Sequence, residues 1–504
     1  MKIVYSRDQK IKGSLTGDFD KDYAFLEAVF ERSGDIVKNP FCIADFCRAA
    51  AIYVDGMTDA DMVEDFVIRP LLKQKWEEKI SGRELLSYIE NHVMETVDWK
   101  EDETFENILT DILSGNTLLL LEGCKKAIIL STKKYPSRGV GETQQEMVIR
   151  GPKDSFTENM RINTALIRRR IRDPRLKMEH TMTGERSKTD LAIIYMEDLV
   201  RPELLEKIRE KVKNISFDGI FDGGMVEQLL EENAWSPFPQ FQHTERPDKA
   251  ASGLLEGRIV LAVDNSPGVL ILPATYQMFF QAGDDYYTRF EVASFARVLR
   301  FVASLFAIGF PGLYVAIAAF HTEMLPASFL LSVAVARTGI VIPVALEVLL
   351  MEFQFELLKE AGIHLPGQLG GTIGIVGGLI VGQAAVEAGI VSTIVVIVVS
   401  FTAIASFIVP NESFGSVFRL LKFLFIFTGA IWGIYGFLLT FAALLFHLSQ
   451  LESFGVPYML PSVCGENLNY DEKKDDYVRY PFAYMLKRPV FTREGRRIRK
   501  KEGR

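Results

Sequence analysis

Residues 423–446 read FLFIFTGAIWGIYGFLLTFAALLF, a run that contains no Asp, Glu, Lys or Arg. Two more uncharged runs lie at 301–320 and 388–411. A helix needs about 20 predominantly apolar residues to cross a hydrocarbon core about 30 Å thick, and each of these runs is long enough. A buried helix of a soluble protein has a similar composition, but three such runs close together favour membrane-spanning helices.

Five apolar segments follow residue 296, at about 301–320, 327–350, 366–386, 390–410 and 423–448. They predict an α-helical transmembrane bundle over 297–450 and a basic cytoplasmic tail over 451–504. Basic residues concentrate on the cytoplasmic side of membrane proteins. For the first four segments, this rule places five basic residues in the cytoplasm: Arg297, Arg300, Lys359, Arg419 and Lys422.

The fifth segment conflicts with the charges of the tail. Five full crossings would put 487–504 outside, although this stretch is strongly basic. The positive-inside rule therefore predicts an even number of crossings. Either one apolar segment enters and returns, or a re-entrant piece lies near Phe454–Pro461, and the pattern does not choose between these two.

The first 296 residues carry charges throughout, which is typical of a soluble domain. Residues 1–20 contain no apolar core of a signal peptide, so we expect this domain to lie in the cytoplasm. The four cysteines show no CxxC spacing, which favours reduced thiols: Cys42, Cys47, Cys124 and Cys464.

The N-terminal domain is predicted to have an α+β fold with two subdomains, about 20–145 and 150–290. We interpret Asp22–Asn107 as mostly helical, because apolar residues recur there at helical spacing. Turn residues between short apolar runs predict hairpins at 116–130 and 258–272. Further predictions are strands at 191–196 and 218–222 and helices at 202–212 and 224–232.

Arg337 and Glu347 are ionisable residues inside the second apolar segment. A charge near the centre of a bilayer costs at least about 2.5–3.5 kcal/mol, so it is rarely kept without a partner or a wet cavity. Gly339 and Pro343 lie between the two residues and weaken a helix. Broken helices with ionisable groups are how many transport sites are built. An internal ion pair that only fixes packing is the alternative.

The third apolar segment combines a polar pair with a strip of glycines. Gln383 and Glu387 are four residues apart and form a second candidate polar site, although Glu387 alone is equally consistent with an interfacial position. Residues four apart lie on one helix face, and small residues there let helices approach closely. We therefore predict a helix-packing strip, within one subunit or between subunits, at Gly370, Gly374, Gly378 and Gly382.

Two other classes of function find little support. Arg168, Arg169, Arg170, Arg172 and Arg175 form a basic cluster, but a net charge of −8 argues against nucleic-acid binding. A solvated face or an interface with acidic partners is favoured instead, while the basic tail suits anionic lipid. A P-loop would need Gly where Ser187 stands. We predict no enzyme activity, no catalytic or metal-binding residues and no cofactor.

Several stretches together resemble the A-subunits of bacterial spore germinant receptors, the GerA family. The resemblance runs from about residue 20 to 490, with the weakest match in the first hundred residues. The N-terminal stretches are SRGVGE (137–142), RGP (150–152), FTE (156–158), NTALIRRR (163–170), PFPQ (237–240), TERPD (244–248) and LEGR (255–258). The C-terminal stretches are IVGG (375–378), GQAAV (382–386) and AGIVS (388–392).

The resemblance implies a multi-pass receptor subunit in the inner membrane of a dormant spore. It implies a permease-like B-subunit that binds the nutrient, a lipoprotein C-subunit, and release of monovalent cations through oligomerised A-subunits. The family includes relatives encoded beside the dipicolinate-channel genes, and the pattern does not choose between these branches. Three alternatives stay open: a non-conducting scaffold, a secondary transporter subunit, and a membrane-anchored sensor whose soluble domain binds the ligand.

Overall fold

The computed structural model describes residues 11, 13–43, 47–73, 86, 89, 98–136, 146, 148–363, 381–462, 471–496 and 498–499. The described chain forms an N-terminal α+β domain up to residue 287, a helical domain over 290–450 and a C-terminal segment after it. The N-terminal α+β class and the helical C-terminal part agree with the prediction.

The first subdomain is built on a five-stranded antiparallel sheet with strand order β1-β2-β4-β5-β3. Every residue of β4 is buried, because helices or loops cover both faces of the sheet. A π-helical turn, Glu64–Ile68, joins α2 to α3. The strands are Ile36–Ile43 (β1), Cys47–Val54 (β2), Trp99–Asp102 (β3), Thr117–Leu121 (β4) and Ala127–Leu130 (β5); the helices are Phe19–Val29 (α1), Ala60–Val63 (α2), Arg69–Lys73 (α3) and Phe105–Ile112 (α4).

The second subdomain has a sheet of order β6-β7-β9-β10-β8, also antiparallel and covered on both faces. Its strands are Leu176–Thr183 (β6), Thr189–Met196 (β7), Gln242–Thr244 (β8), Ile259–Val263 (β9) and Val269–Leu272 (β10). Its helices are Met160–Arg170 (α5), Pro202–Lys213 (α6), Gly223–Leu230 (α7) and Pro247–Leu255 (α8), and a short helix, Asp284–Tyr287 (α9), follows.

The two subdomains repeat one topology. Adding five to each strand number of the first sheet gives the order of the second sheet. The helix before the first strand also begins in the same way in both. Asp18 caps α1 and Asn159 caps α5, each by accepting backbone N–H groups with its side chain. Such caps satisfy N–H groups that the first helical turn leaves unpaired.

A short signature in the sequence accompanies this repeat: SLTGD at 14–18 and SFTEN at 155–159. In the first copy, the Thr16 N–H donates to Asp22 Oδ1 at 3.0 Å. In the second copy, the Thr157 N–H donates to Asn163 Oδ1 at 2.8 Å. A side-chain oxygen six residues downstream, from Asp22 in the first copy and from Asn163 in the second, therefore closes the loop before the helix in both subdomains.

Two predictions for the N-terminal domain need correction. Among the described residues of Asp22–Asn107, which were predicted to be mostly helical, lie the three strands β1, β2 and β3. β2 is buried almost throughout, so it lacks the alternation that separates a strand from a buried helix. Residues 218–222 are irregular, with bends at Asp218 and Asp222, and do not form the predicted strand. The two hairpins, the strand at 191–196 and the helix at 202–212 are confirmed.

A buried ion pair joins the two subdomains. Arg168 donates from Nε to Asp35 Oδ2 at 2.8 Å and from Nη2 to Asp35 Oδ1 at 3.0 Å, and the side chains are 1% and 3% exposed. Lys177 Nζ also crosses the interface and donates to the Val29 carbonyl at 2.7 Å. We call the Arg168–Asp35 pair the subdomain clasp.

The arginine cluster was predicted to form a solvated face or an interface with acidic partners; the solvated face is wrong for three of its five members, which pair with carboxylates of this chain. Arg168 lies in the clasp, Arg170 pairs with Asp154, and Arg175 pairs with Asp173 and Asp198. The guanidinium of Arg169 lies 4.8 Å from the centroid of the Tyr135 ring. Arg172 is exposed, as predicted. A run of charged residues does not reveal which groups will lie near it. In the folded chain, carboxylates pair with three of these arginines.

The helical domain begins at Phe290, before the predicted boundary at 297. The second apolar segment forms two helices separated by 337–343, and residues 381–387 are also helical. Large apolar side chains point outward along the domain, including Leu439 and Val335, which are 70% and 68% exposed. The helices are Phe290–Phe320 (α10), Ala327–Ala336 (α11), Val344–Ile363 (α12), Thr393–Phe407 (α13) and Glu412–Gln450 (α14). By length and composition, α10 and α14 are able to cross a membrane.

The last helix, α14, reverses direction at Gly433, whose φ of 60° and ψ of −141° are not helical. Thr440 Oγ1 donates to Thr428 Oγ1 at 2.9 Å, and the rings of Phe425 and Phe437 lie 5.2 Å apart. In a straight helix, residues twelve apart would be separated by about 18 Å. The apolar segment 423–448 is therefore two antiparallel helices, and it returns to the end of the helical domain from which it starts.

The C-terminal segment then packs on the N-terminal domain. A small hairpin of Glu452–Ser453 (β11) and Val456–Pro457 (β12) follows α14, and Ser453 Oγ donates to the Gln240 carbonyl at 2.8 Å. Phe454 lies in the apolar core of the second subdomain. A re-entrant piece at Phe454–Pro461 is therefore wrong, and the reversal at Gly433 is the alternative that the structure adopts.

Candidate functional site

The break between α11 and α12 brings Arg337 and Glu347 together. Arg337 Nη2 lies 3.1 Å from Glu347 Oε1, an ion pair that is not aligned as a hydrogen bond. The same Nη2 donates to the Ile342 carbonyl at 3.3 Å. Ten residues of unbroken helix would separate the two side chains by about 15 Å. The non-helical stretch 337–343 is therefore what allows this pair to form.

Glu347 is fully buried and also contacts the start of α13. Its Oε2 accepts the backbone N–H of Ser392 at 2.9 Å, and Ser392 is the N-cap of α13. The positive end of a helix dipole stabilises a carboxylate in this position. Tyr314 of α10 packs against an apolar cluster that includes Val348 of α12 and Val395 of α13, and its buried hydroxyl has no hydrogen-bond partner among the described residues. Three helices thus meet around one buried charge.

The second predicted polar site lies apart from this one. Gln383 Nε2 donates to Glu387 Oε1 at 2.9 Å, and both side chains are exposed on one helical surface. Of the predicted glycine strip, Gly370, Gly374 and Gly378 lie outside the described residues. A Cβ placed on Gly382 would contact the side chain of Val396 at 3.6 Å, an ordinary van der Waals distance.

Close helix packing is seen at a different pair of glycines. A Cβ on Gly312 of α10 would lie 2.6 Å from the Phe425 carbonyl oxygen, and one on Gly429 of α14 would lie 2.7 Å from the Gly312 oxygen. Neither position tolerates a side chain without movement of the backbone. Small residues at such crossings let helices approach closely. These two were not predicted, although each has a second glycine three or four residues away, at Gly309 and Gly433, and such a spacing marks one helix face.

A buried network of four charges joins α12 to α14. Lys422 Nζ lies 2.6 Å from Glu352 Oε2 and 2.7 Å from Glu356 Oε1. Arg419 Nη2 lies 2.6 Å from Glu356 Oε2. Glu352 and Lys422 are almost completely buried, and Glu352 Oε1 has no hydrogen-bond partner among the described residues. We call these four residues the helix network.

The helix network was not predicted, because Arg419 and Lys422 were interpreted as charges that flank the apolar segments. A signal was present in the spacing. Glu352 and Glu356 are four residues apart, and Arg419 and Lys422 are three apart, so each pair lies on one face of its helix. Two acidic residues on one helix and two basic residues on another are complementary.

A third group of charges connects the N-terminal domain, α10 and the C-terminal segment. Arg297 is 1% exposed; its Nε donates to Asp285 Oδ2 at 2.9 Å, and its Nη1 donates to Asp475 Oδ1 at 2.7 Å. Arg300 Nη1 also donates to Asp285, at 2.8 Å. Burial raises the pKa of the neighbouring Asp476 carboxyl to about 7. Arg297 and Arg300 thus hold α10 to its surroundings rather than facing solvent.

Aromatic side chains attach the start of α14 to the N-terminal domain. The rings of Phe279 and Phe414 stack at 4.8 Å, and Tyr276 packs edge-on against Phe414 at 5.4 Å. Near the end of α14, His447 Nε2 lies 2.9 Å from Ser236 Oγ. Both ends of the α14 hairpin therefore touch the N-terminal domain, and the helix network lies two turns beyond Phe414.

The match to the family model described as Bacillus/Clostridium GerA spore germination protein covers residues 24–491. The chain belongs to the GerA family. The resemblance predicted from the sequence is confirmed. The three charge groups therefore lie in a protein of a germination family. The apolar helices and their outward apolar side chains suggest that the helical domain associates with a membrane.

Relatives in the GerA family align along most of their lengths. Spore germination protein A1 of Bacillus subtilis is 39% identical over 90% of this chain and 91% of its own length. The uncharacterized membrane protein YfkQ of Bacillus subtilis is 36% identical, over 96% of this chain and 92% of its own. Spore germination protein GerLA of Bacillus cereus is 35% identical over 88% of this chain and 89% of its own length.

The chain is also similar to a solved structure, the N-terminal domain of the A subunit of the Bacillus megaterium spore germinant receptor GerK3. The identity is 29%, with coverage of 53% of this chain and 99% of that chain and a TM-score of 0.43.

Proposed function

We propose that this GerA-family protein is the A-subunit of a nutrient germinant receptor in the inner spore membrane. In this proposal, it converts nutrient sensing into release of monovalent cations, and copies of the chain assemble around the conducting path. A permease-like B-subunit and a lipoprotein C-subunit complete the receptor. Membership of the family, and A-type relatives along nearly the whole chain, support the proposal.

The arrangement of the helical domain supports a membrane location with both chain ends on the cytoplasmic side. α10 and α14 are apolar, and α14 turns back at Gly433. The described part of the basic tail contacts the N-terminal domain: Arg488 Nε donates to the Leu255 carbonyl at 2.8 Å, and Arg493 N donates to the Leu199 carbonyl at 2.8 Å. Two segments in direct contact lie on one side of a membrane, and basic residues favour the cytoplasmic side.

The Arg337–Glu347 pair is the observation that carries the ion-release proposal. It lies at a break between two apolar helices, where a charged residue is costly unless it has a role. Its contact is incomplete, because Glu347 Oε1 and Arg337 Nε have no hydrogen-bond partner among the described residues. An incompletely satisfied pair is able to exchange partners with a passing cation or with water. Gln383 and Glu387 remain further candidates for the path.

Potassium release from spores after nutrient addition tests this proposal. Arg337→Ala and Glu347→Gln are expected to slow release at least about tenfold, with the protein level checked by immunoblot. Glu347→Gln keeps an acceptor for the Ser392 N–H, so its folding effect is small. Glu323→Gln is the matched control, because Glu323 is 72% exposed in the loop after α10. Normal release in both variants would contradict the assignment.

The purified full-length chain separates the remaining functions. A cation current in lipid vesicles that Arg337→Ala reduces supports the conducting subunit. Flux that requires a co-substrate supports a secondary transporter subunit, and no flux with normal receptor assembly supports a scaffold. If the predicted glycine strip lines an interface between copies, Gly378→Leu disrupts the oligomer, because a side chain occupies the space of a neighbouring helix. An unchanged oligomer would remove the strip from the interface.

A further inference from the structure

The tip of the α14 hairpin lies beside the far end of α10. A Cβ on Gly433 would lie 2.9 Å from His321 Nε2, and the rings of His321 and Tyr435 are 6.3 Å apart. Glu323, in the same loop, is strongly exposed. A carboxylate is costly inside the hydrocarbon core, so this loop belongs outside it. In the proposed membrane location, the tip therefore marks the boundary of the core that is far from the N-terminal domain.

Lengths along the helices place the near boundary. From Phe414 to Gly433 the chain spans about 28 Å of helix, and the stretch from Phe301 to the end of α10 is equally long. The hydrocarbon core is about 30 Å thick. The Phe414 ring stacks on Phe279 at 4.8 Å, and the Phe301 ring lies 5.8 Å from that of Phe280. The surface of the N-terminal domain that touches the helices therefore lies at the near boundary.

Trp235 projects from this surface beside the end of α14. The neighbouring Ser236 Oγ lies 2.9 Å from His447 Nε2. From Gly433 to His447 is about 21 Å of helix, which is within the thickness of the core. The Trp235 side chain is nevertheless 97% exposed, and Phe446, next to His447, is exposed as well. Large apolar side chains thus point outward from both partners of the Ser236–His447 contact.

An indole ring is apolar but carries one N–H donor, which suits the layer between hydrocarbon and water. Trp is enriched at the headgroup level of membrane proteins for this reason. We propose that Trp235 inserts into the headgroup layer of the bilayer and anchors the N-terminal domain to the lipid surface. Its N–H donates to phospholipid carbonyl or phosphate oxygens, and its ring lies beside Phe446. The nearby Glu232 pairs with Lys207, which reduces repulsion of the phosphates.

A second copy of the chain or another protein is the alternative occupant, because Trp is also enriched at protein interfaces. Such interfaces use contiguous apolar patches. Around Trp235, the exposed neighbours in the chain are polar or small, Asn233 and Ala234 among them. The apolar surface continues instead onto Leu445 and Phe446 of α14, which face outward at the same level. Depth and continuity with α14 therefore favour lipid.

Quenching of fluorescence by brominated lipid tests the anchor in the purified full-length protein in phosphatidylcholine nanodiscs. The chain has four tryptophans, so the difference between the wild type and Trp235→Phe isolates the emission of Trp235. Bromine in the upper part of an acyl chain is expected to quench this emission by at least about half, and more than bromine near the chain end, because interfacial rings lie at headgroup level. Trp99→Phe is the control: Trp99 is on β3 of the first subdomain, and neither lipid is expected to quench it.

Trp432 separates failure of the anchor from failure of the proposed membrane location, on which the anchor rests. Trp432 is exposed beside Gly433 at the hairpin tip, so its emission, isolated with Trp432→Phe, is expected to be quenched as well. Quenching of Trp432 but not of Trp235 would overturn the anchor. Acrylamide in the water would then quench an open Trp235 and spare one that a second copy or another protein covers. Absence of quenching at both positions would overturn the anchor together with the membrane location.

Discussion

The subdomain clasp and the charge pairs of the helical domain are both buried, yet they differ in completeness. In the clasp, Arg168 uses Nε and Nη2 on Asp35, and it also donates to the carbonyls of Leu176 and Asp173 at 3.0 and 3.3 Å. In the helical domain, Arg337 Nε, Glu347 Oε1 and Glu352 Oε1 have no hydrogen-bond partner among the described residues.

The difference in hydrogen bonding indicates that the two sets of buried charges have different roles. A fully satisfied buried network rigidifies a structure, whereas a partly satisfied one carries an unpaid desolvation cost and is easier to rearrange. We infer that the N-terminal domain moves as one body, because the clasp holds its halves together. In the helical domain, the buried charges can exchange partners with little loss of free energy, because some of their hydrogen bonds are not formed.

The largest expected effect is loss of the clasp. Arg168→Ala leaves the Asp35 carboxylate buried without its partner, and breaking such a pair costs about 3–5 kcal/mol. Thermal unfolding of the full-length protein, followed by loss of near-ultraviolet circular dichroism, measures this effect. Arg172→Ala is the control, since Arg172 is exposed and a surface substitution changes stability by about 0.5 kcal/mol or less.

The same experiment has a second arm that tests the cause. Arg168→Met with Asp35→Leu removes both charges, and replacement of a buried pair by apolar residues is often neutral. The double variant is expected to recover most of the stability. If Arg168→Ala behaves like Arg172→Ala, the clasp does not hold the subdomains and the contrast fails.

A smaller loss is expected in the helix network. Lys422→Met leaves Glu352 without its partner, but Glu356 keeps Arg419. We expect the free energy of unfolding to fall by about 3 kcal/mol, the lower end of the cost of breaking a buried ion pair, because one oxygen of Glu352 already lacks a hydrogen-bond partner among the described residues; a higher resting cation leak is expected as well. The midpoint of thermal inactivation in detergent measures the stability of the variant. Lys359→Met is the control, because Lys359 lies on α12 near the helix network but is not part of it. A Lys422→Met protein as damaged as Arg168→Ala would show that the network is as rigid as the clasp.

The reversal at Gly433 brings the two halves of α14 together, and it lies against the end of α10. Gly433→Ala is expected to cost about 1–2 kcal/mol, because its backbone angles belong to a region that favours glycine. A Cβ there would also lie 2.9 Å from His321 Nε2. Gly339→Ala is the matched control: φ is +90°, but nothing lies within 4 Å of its Cβ.

Equal losses in the Gly433 and Gly339 variants would assign the whole effect to backbone angle. A greater loss at Gly433 is the expected outcome, and it would show that the tip of the α14 hairpin packs against the end of α10. Thermal inactivation in the same detergent compares the two proteins directly.

The smallest expected effect concerns Asp476, which is partly buried. Burial raises its pKa from 3.8 to about 7, and its Oδ1 has no partner among the described residues. Between pH 4 and 7 the folded protein keeps a proton that the unfolded chain releases, so the contribution to stability falls as the pH rises. Asp476→Asn removes this dependence and is expected to protect the C-terminal segment above pH 7.

Hydrogen exchange over 474–484 at pH 5 and pH 8, corrected for the intrinsic rate, checks this prediction. The variant and the wild type are expected to differ more at pH 8 than at pH 5, and Glu203→Gln is expected to match the wild type at both. A variant that differs equally at the two pH values would show that ionisation of Asp476 is not the cause.

Local patterns in the sequence were sufficient for features that depend on neighbouring residues. The hairpins at 116–130 and 258–272 and the helix from Pro202 followed from turn residues and apolar spacing. The apolar runs identified the helical domain. The subdomain repeat was missed, although SLTGD and SFTEN at 14–18 and 155–159 preserve its helix-start signature. The rest of the two copies has diverged, because a sheet core requires only apolar residues of suitable size.

The sequence by itself determined which segments are apolar, and it marked Arg337 and Glu347 as costly charges that need a partner. Only the tertiary structure decided where the charges pair. Asp35 and Arg168 are 133 residues apart, and Glu352 and Lys422 are 70 apart. It also decided that α14 turns back at Gly433. Electrostatic energy depends on distance in space, and spacing along the chain sets that distance only within one helix or hairpin.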